Sequence, residues 1–292
     1  TGQNVIVLSG LTPLSFKGHY TDILPSLNAR LTITPKLVFR TAASRVISRP
    51  TLTDLSPAQT ITSNPGNERI THGNPNLQPF RASQAEAGLE WYYDRDSLLS
   101  ATFFYKSIDS FITRGVTPQQ VDQVTFIVDQ PINGKGATVK GVEVSYRTLF
   151  KFLPGLLSGF GTQLSYTYTD SNANYTNAAK ASTSYSLEGL SKNSYAAVLF
   201  YEKGPVQARA SYTRRDGYLF APQTQTGIPE FVDSYDQLDA GLQLSVTKNV
   251  ILTADATNLT DSREFHYANV VADAQEYRRV GRRYTAGVRV RF

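Results

Sequence analysis

Apolar and polar residues alternate with a period of two along most of the chain, in segments of about 8 to 11 residues. The last segment shows the alternation most clearly. Its apolar face carries Tyr284, Ala286, Val288, Val290 and Phe292, and its polar face carries Thr285, Gly287, Arg289 and Arg291. A strand of this length crosses a bilayer when it is tilted, with one face toward lipid and the other toward water.

The same alternation predicts further strands. It is clear over 142–147, 161–169, 206–213 and 237–247, and weaker over 27–33, 37–43, 84–93, 98–106, 195–202 and 250–258. Together with the last segment this makes about eleven antiparallel strands. Residues 5–9 have the same character and are interpreted as the remnant of a twelfth strand.

The predicted connections alternate between short and long. The short ones are 34–36, 94–96, 151–158, 203–205 and 247–249, and the long polar ones are 44–83, 107–136, 170–194, 214–235 and 259–283. Long loops without structure are unusual in a compact soluble domain, whereas short turns on one rim and long loops on the other are typical of outer-membrane barrels. We therefore expect an all-β fold, a transmembrane antiparallel up-and-down β-barrel, with the last strand ending at the periplasmic rim.

The aromatic residues fit two membrane interfaces. Several lie beside short turns and others toward strand ends: Trp91, Tyr92, Tyr93, Phe150, Phe152, Tyr166, Tyr168, Tyr201 and Tyr212. Rings with one polar and one apolar end favour the headgroup level, so this placement predicts aromatic girdles.

Composition narrows the alternatives. Charged residues make up 18% and apolar residues 40% of the chain, and the mean hydropathy is -0.28. No apolar run approaches the ~20 residues of a transmembrane helix.

The absence of cysteine excludes disulfides, thiolate metal sites and cysteine nucleophiles. The net charge of +5 comes from scattered arginines, which argues against a nucleic-acid partner. Residues 1–4 lack a signal-peptide pattern, so we expect an exported protein to have lost its beginning.

Several blocks resemble one family. They are 24–28, 42–45 with 49–50, 73–79 leading into 88–92, 104–109, 141–143, 189–192, 258–261 and 281–292. In order and spacing they are similar to TonB-dependent receptors of the outer membrane, with the nearest likeness in the subfamily common in xanthomonad, caulobacter and sphingomonad type bacteria. On this resemblance residues 1–292 form the C-terminal part of the transmembrane barrel domain.

The resemblance implies a 22-stranded barrel, an N-terminal plug and a short motif that engages the TonB energy-coupling complex. The plug, the motif and about ten strands have no counterpart in this sequence. An open sheet leaves unpaired backbone groups in hydrocarbon, at several kcal/mol each, so we expect the chain to pair with missing N-terminal strands or with another polypeptide. A self-contained 12-stranded barrel is the alternative. The ending also resembles the signal read by the barrel-assembly machinery, carried by Tyr284, Val288, Val290 and Phe292.

Catalytic and metal chemistry are not indicated. The three histidines, His19, His72 and His266, lack ligand spacing, and no serine lies in a nucleophile elbow. We predict no catalytic residue, no metal and no cofactor.

Binding chemistry is expected in the long loops. The candidate residues are Arg69, His72, Asn74, Asn76, Arg214, Arg215, Tyr218, Phe231, His266, Tyr267, Arg278 and Arg279. Aromatic rings beside Arg and Asn suit a glycan, which the subfamily likeness favours, and Arg clusters equally suit an anionic iron chelate (a siderophore). The same arginines could instead contact lipopolysaccharide phosphates. The leading hypothesis is active uptake of a scarce solute across the outer membrane. The alternatives are a passive porin, secretion barrel or outer-membrane enzyme of 12 strands, and a soluble β-rich sugar-binding domain.

Overall fold

The computed structural model describes residues 15–176, 182–224 and 228–291. These residues are nearly all β, with one four-residue helix, α1 (Leu52–Leu55), and one 3-10 turn, Gly155–Gly159, in the described ranges. The strands are β1 (Ser26–Thr34), β2 (Leu37–Ser48), β3 (Gln59–Asn64), β4 (Asn67–His72), β5 (Phe80–Asp94), β6 (Ser97–Val121), β7 (Val124–Leu149), β8 (Phe160–Thr176), β9 (Ser182–Tyr185), β10 (Asn193–Lys203), β11 (Val206–Arg215), β12 (Tyr218–Ala221), β13 (Glu230–Val232), β14 (Tyr235–Ser245), β15 (Val250–Thr257), β16 (Arg263–Ala268), β17 (Ala274–Arg279) and β18 (Arg283–Val290).

Eleven of these strands form one continuous sheet, the wall, in the order β1-β2-β5-β6-β7-β8-β10-β11-β14-β15-β18. Each wall strand is antiparallel to its neighbour, as in an up-and-down barrel. Every strand predicted from the alternation coincides with a wall strand, so this prediction is confirmed. The predicted remnant over 5–9 lies outside the described residues.

The apolar face of the wall points away from the protein. Leu164 is 44% exposed, Leu242 46%, Tyr284 68% and Val288 66%, although all are large apolar or aromatic side chains. Alternate side chains of a strand point to opposite faces of the sheet. The pairing of neighbouring strands therefore places all of these apolar side chains on the same surface. The opposite face carries polar pairs such as Arg40 and Glu90, whose Nε and Oε1 atoms lie 2.8 Å apart.

The long segments are more ordered than the sequence predicted. The expected loop over 107–136 is wrong, because β6 and β7 stay paired along its whole length up to Val121 and Val124. The tip is Asp122 and Gln123, with φ of 46° and 70°, the conformation of a tight hairpin turn. Polarity was the misleading signal: backbone hydrogen bonds hold a two-stranded ribbon together whether its side chains are apolar or not.

The other long segments also contain structure. Residues 44–83 include α1 and the hairpin β3–β4, and β4 lies parallel to β7 through Arg69 to Thr71. The segments after β11 and β15 form a separate four-stranded sheet, β12-β13-β16-β17, which we call the cap. The predicted short connections are confirmed. Those of β1–β2, β5–β6, β10–β11 and β14–β15 have a few residues each, and the one predicted over 151–158 joins β7 to β8 through residues 150–159.

The apolar core lies near the rim that carries the long segments. It comprises Ala82, Ile108, Phe111, Ala137, Val139, Ala173, Tyr175 and Leu219, all buried. Leu219 belongs to the cap and is 2% exposed, so the cap packs on the wall through this core. Burial of apolar area is the main stabilising contribution available at this rim.

The strands β1 and β18 end the wall, and among the described residues each pairs with one neighbouring strand. No helix in 15–176, 182–224 or 228–291 is long and apolar enough to span a membrane.

Candidate binding site at the loop rim

The cap is assembled from two segments that are distant in sequence. Its central pair is β13–β16, in which Phe231 lies opposite Tyr267 and Val232 opposite His266. The two rings of Phe231 and Tyr267 are stacked with centroids 5.6 Å apart. Phe231 also contacts Tyr185 at 6.3 Å, and Tyr185 contacts Tyr175 of the core. Phe231 thus holds the cap against the core, and Tyr267 supports Phe231 from within the cap.

Asn258 fixes the point where the cap segment leaves β15. Its φ of 57° is a left-handed conformation that asparagine tolerates better than most residues. Its side chain donates to the carbonyls of Ser262 and Gly281 at 3.2 and 3.1 Å and accepts from the backbone N of Ser262 at 2.8 Å. One buried side chain therefore ties both ends of the segment between β15 and β18 together.

A cavity of about 560 Å³ lies between the cap and the ends of four wall strands. It is lined by Arg215, Tyr218, Val232, Tyr235, Gln237, Thr257, Asn258, Ser262, Glu264, Arg278, Val280, Gly281, Arg282 and Arg283. Four of these side chains are cationic and one is acidic. We refer to it as the arginine cavity.

Several of its arginines are held in position. The Arg215 guanidinium lies 4.0 Å from the ring centroid of Tyr218, and its Nε donates to the Ser191 hydroxyl at 3.1 Å. The Arg282 Nε donates to the Leu259 carbonyl at 3.0 Å. A guanidinium fixed in this way loses little conformational entropy when it binds an anion, and its fork of donors matches carboxylates and similar groups.

His266 lies at the edge of the arginine cavity rather than in it. The side chain is buried, its Nδ1 is 2.7 Å from Glu230 Oε1, and its Nε2 is 2.8 Å from Glu264 Oε1. Burial alone would lower the pKa of His266, but the hydrogen bonds to Glu264 and Glu230 outweigh it and hold the pKa above its usual value. When both carboxyl groups are ionised they can only accept, so both ring nitrogens donate and the ring is the charged imidazolium.

The structure separates the candidate residues predicted in the first long loop from this cavity. Arg69 pairs with the Oδ2 atom of Asp129 in β7. The Oδ1 atom of Asp129 lies 2.6 Å from Arg114 Nε. The Nδ1 of His72 lies 2.6 Å from the Gly73 carbonyl, and Asn74 Nδ2 donates to the Pro131 carbonyl at 3.2 Å. Asn76 continues the same turn, since its backbone N donates to Asn74 Oδ1 at 3.0 Å. The contacts of Arg69 and Asn74 dock the β3–β4 hairpin and the turn after it against β7, whereas those of His72 and Asn76 stay within that turn.

The remaining predicted residues divide between the cavity and other places. Arg215, Tyr218 and Arg278 line the cavity. Arg214 is exposed on the lipid-facing side of β11, and Arg279 pairs with Asp261 outside the cavity. Lining residues absent from the prediction include Gln237, Asn258, Glu264 and Arg283. The register of β14 with β11 could have indicated Gln237, because it lies on the same face as Arg215.

Of the predicted assembly signal, three residues are described. Tyr284, Val288 and Val290 are exposed on one face of β18, at 68%, 66% and 50%. Phe292 lies outside the described residues. In the described ranges no group of three or more His, Asp or Glu side chains is arranged to hold a metal ion.

A wall of antiparallel strands with an apolar outer face, topped by a loop-built cavity, defines the class of outer-membrane receptor barrels. The sequence profile of the family described as TonB dependent receptor-like, beta-barrel, matches residues 4–259, and the chain belongs to this family. It is a family of outer-membrane transport receptors, so the predicted family and location are confirmed. A comparison with curated protein sequences found no match.

Solved structures share the fold at low identity. A mutant of the ferric enterobactin receptor PfeA from Pseudomonas aeruginosa is 19% identical, with a TM-score of 0.66 over 92% of this chain and 40% of that one. The siderophore receptor PirA from Acinetobacter baumannii is 15% identical, with a TM-score of 0.63 over 92% and 41%. The ferric-catecholate import receptor Fiu from Escherichia coli K12 is 18% identical, with a TM-score of 0.60 over 91% and 34%. The chain thus spans roughly two fifths of the length of these structures or less.

Proposed function

We propose that residues 1–292 are the C-terminal part of the barrel domain of an active-transport receptor, which binds a scarce solute through its loops and imports it with TonB-coupled energy. Membership of the family supports a transport role over catalysis. The two end strands, β1 and β18, favour completion of the barrel by further strands, because an open edge in hydrocarbon leaves backbone groups unsatisfied. This makes a self-contained 12-stranded porin or enzyme the weaker reading.

The inner face of the wall supports a plug as the second missing part. A cavity of about 640 Å³ lies against β7, β8, β10, β11, β14 and β15, and Arg147, Arg209, Glu202, Asp239 and Asp255 line it. A surface with both signs of charge suits a polar domain filling the lumen. The TonB complex would act through that domain, the barrel-assembly machinery would insert the wall, and lipid with lipopolysaccharide would surround it.

The arginine cavity is the observation that carries the choice of solute. Four arginines and one glutamate favour an anionic solute, since each charge-assisted hydrogen bond contributes about 1.5–3 kcal/mol. An iron chelate of the siderophore type has this charge, and the structurally similar proteins PfeA, PirA and Fiu are siderophore or ferric-catecholate receptors. The cavity therefore reverses the preference for a neutral glycan that the sequence suggested.

An oligosaccharide is the second candidate. The rings of Tyr218 and Tyr235 both line the cavity, and aromatic faces with a polar tip suit sugars as well as aromatic chelates. The two classes differ in charge, which makes them separable by experiment.

Binding to the full-length receptor in detergent tests the proposal. Tri-anionic ferric catecholates, ferric hydroxamates and neutral oligosaccharides would be titrated against the wild type, Arg215→Ala and Arg214→Ala. We expect an anionic chelate to bind best, with the affinity reduced about tenfold or more in Arg215→Ala. Arg214→Ala is the matched control, because Arg214 is the next residue but lies on the opposite face of β11.

Tighter binding of a neutral sugar, unaffected by Arg215→Ala, would instead establish the glycan reading. If Arg215→Ala and Arg214→Ala changed the affinity equally, the arginine cavity would not be the binding site.

A further inference from the structure

The contact between His266 and two carboxylates joins three parts of the cap. Glu230 belongs to β13, His266 and Glu264 to β16, and the Phe220 ring of β12 lies against the imidazole at 4.8 Å between centroids. His266 is 3% exposed, so water cannot easily replace a hydrogen bond that its ring loses.

The charges around His266 favour its cationic form. Glu230 faces it from β13, Glu264 from β16, and Glu276 lies opposite it in the register of β17. Arg278 of β17 is the cation that pairs with Glu276 at 2.5 Å and approaches Glu264 at 3.7 Å. With a neutral imidazole this cluster has three carboxylates against one guanidinium, and one carboxylate would face a ring lone pair.

The same cluster borders the arginine cavity. Glu264 and Arg278 line the cavity, and Glu264 is the acceptor for His266 Nε2. A change at His266 therefore acts directly on Glu264 and, through Glu264, on Arg278.

We propose that Glu230, His266 and Glu264 form a proton-dependent latch that keeps the cap ordered over the arginine cavity and releases it when His266 loses its proton. The cavity is a solute site only if the proposed function holds, but the latch itself concerns the order of the cap.

The sign of the pH dependence follows from the direction of the pKa. A histidine whose pKa is raised by folding stabilises the folded state fully below its unfolded value of about 6.5, and this contribution is lost as the pH rises through the folded value. The cap should therefore be most ordered in acid and loosen toward alkaline pH.

Hydrogen exchange of the full-length receptor, corrected for the intrinsic pH dependence of exchange, tests the latch without any solute. From about pH 6 to about pH 9, a range that spans the usual histidine pKa, protection of the β13 and β16 amides should fall about tenfold or more in the wild type. His266→Gln should exchange about tenfold faster at the acidic end and show no further change with pH.

Two further variants sharpen the test. Glu230→Gln keeps an acceptor but removes one charge, so the midpoint of the transition should fall by about one pH unit. His72→Gln is the matched control, because its ring contacts the Gly73 carbonyl outside the cap, and it should behave as the wild type. Unchanged wild-type protection across the range, or a normal pH transition in His266→Gln, would overturn the latch. Failure of solute binding with the transition intact would count against the proposed function alone.

Discussion

The wall and the cap are both antiparallel sheets, yet different interactions hold them in place. Wall strands run for 8 to 26 residues and present large apolar side chains outward, as Leu242 and Val288 show. Cap strands have 3 to 6 residues and depend on individual polar and aromatic contacts, among them Asn258, His266 and the stacked pair Phe231 and Tyr267. The wall is therefore determined by its surroundings of lipid, and the cap by a few side chains.

The largest effect is expected on the lipid face of the wall. Leu242→Arg places a charge on the outer surface of β14 and should destabilise the folded receptor in bilayers by about 2–4 kcal/mol, as cations near the bilayer midplane do. Unfolding by denaturant in lipid vesicles measures this. Gln243→Arg, at the adjacent inward position, should cost much less, and equal losses for both would show that β14 does not divide lipid from lumen.

A smaller effect is expected where the first long segment docks on the wall. Asp129→Asn removes a carboxylate that is 1% exposed and leaves Arg69 and Arg114 without their charged acceptor, which should loosen the β3–β4 hairpin by about 2 kcal/mol. Hydrogen exchange of residues 59–72 is the measurement. Asp109→Asn breaks the exposed pair with Arg45 and should change stability by about 0–1 kcal/mol. Comparable exchange in both variants would mean that the buried pair does not hold the hairpin.

The smallest of the three effects is expected at the base of the cap. Asn258→Gly retains the left-handed backbone but loses the side-chain hydrogen bonds to Ser262 and Gly281, so the cap should lose about 1–2 kcal/mol of local stability. Protease sensitivity of residues 259–282 reports this loss. Asn249→Gly, in a short turn at the other rim, serves as the control, and a cap as resistant as the wild type would assign its anchoring to the aromatic contacts instead.

The wall could be predicted because its strands obey one rule over many residues. Alternation places Leu238, Leu242 and Leu244 outward without reference to any partner, and the register with neighbouring strands follows from it. Arg214 and Arg215 were not distinguished in the prediction, although their parity in β11 assigns one to each face.

The cap could not be predicted in the same way. Its strands are too short for a periodic signal, and its main contacts join residues far apart, such as Glu230 and His266 or Phe231 and Tyr267. Outside the cap, the prediction also failed over 107–136, where a hydrophilic composition indicated a loop and the structure has the paired strands β6 and β7. In the sequence Asn258 is only the first residue of the block 258–261, and only the folded segment shows its role as an anchor.

The ribbon formed by β6 and β7 has a consequence for what can be reached from outside a cell. A strand of 25 residues has a contour length of about 80 Å, while a tilted strand needs only about 10 residues to cross the membrane. The turn at Asp122 and Gln123 therefore stands well clear of the lipid headgroups. A short epitope inserted there would allow antibodies to bind intact bacteria and would leave the arginine cavity unaltered.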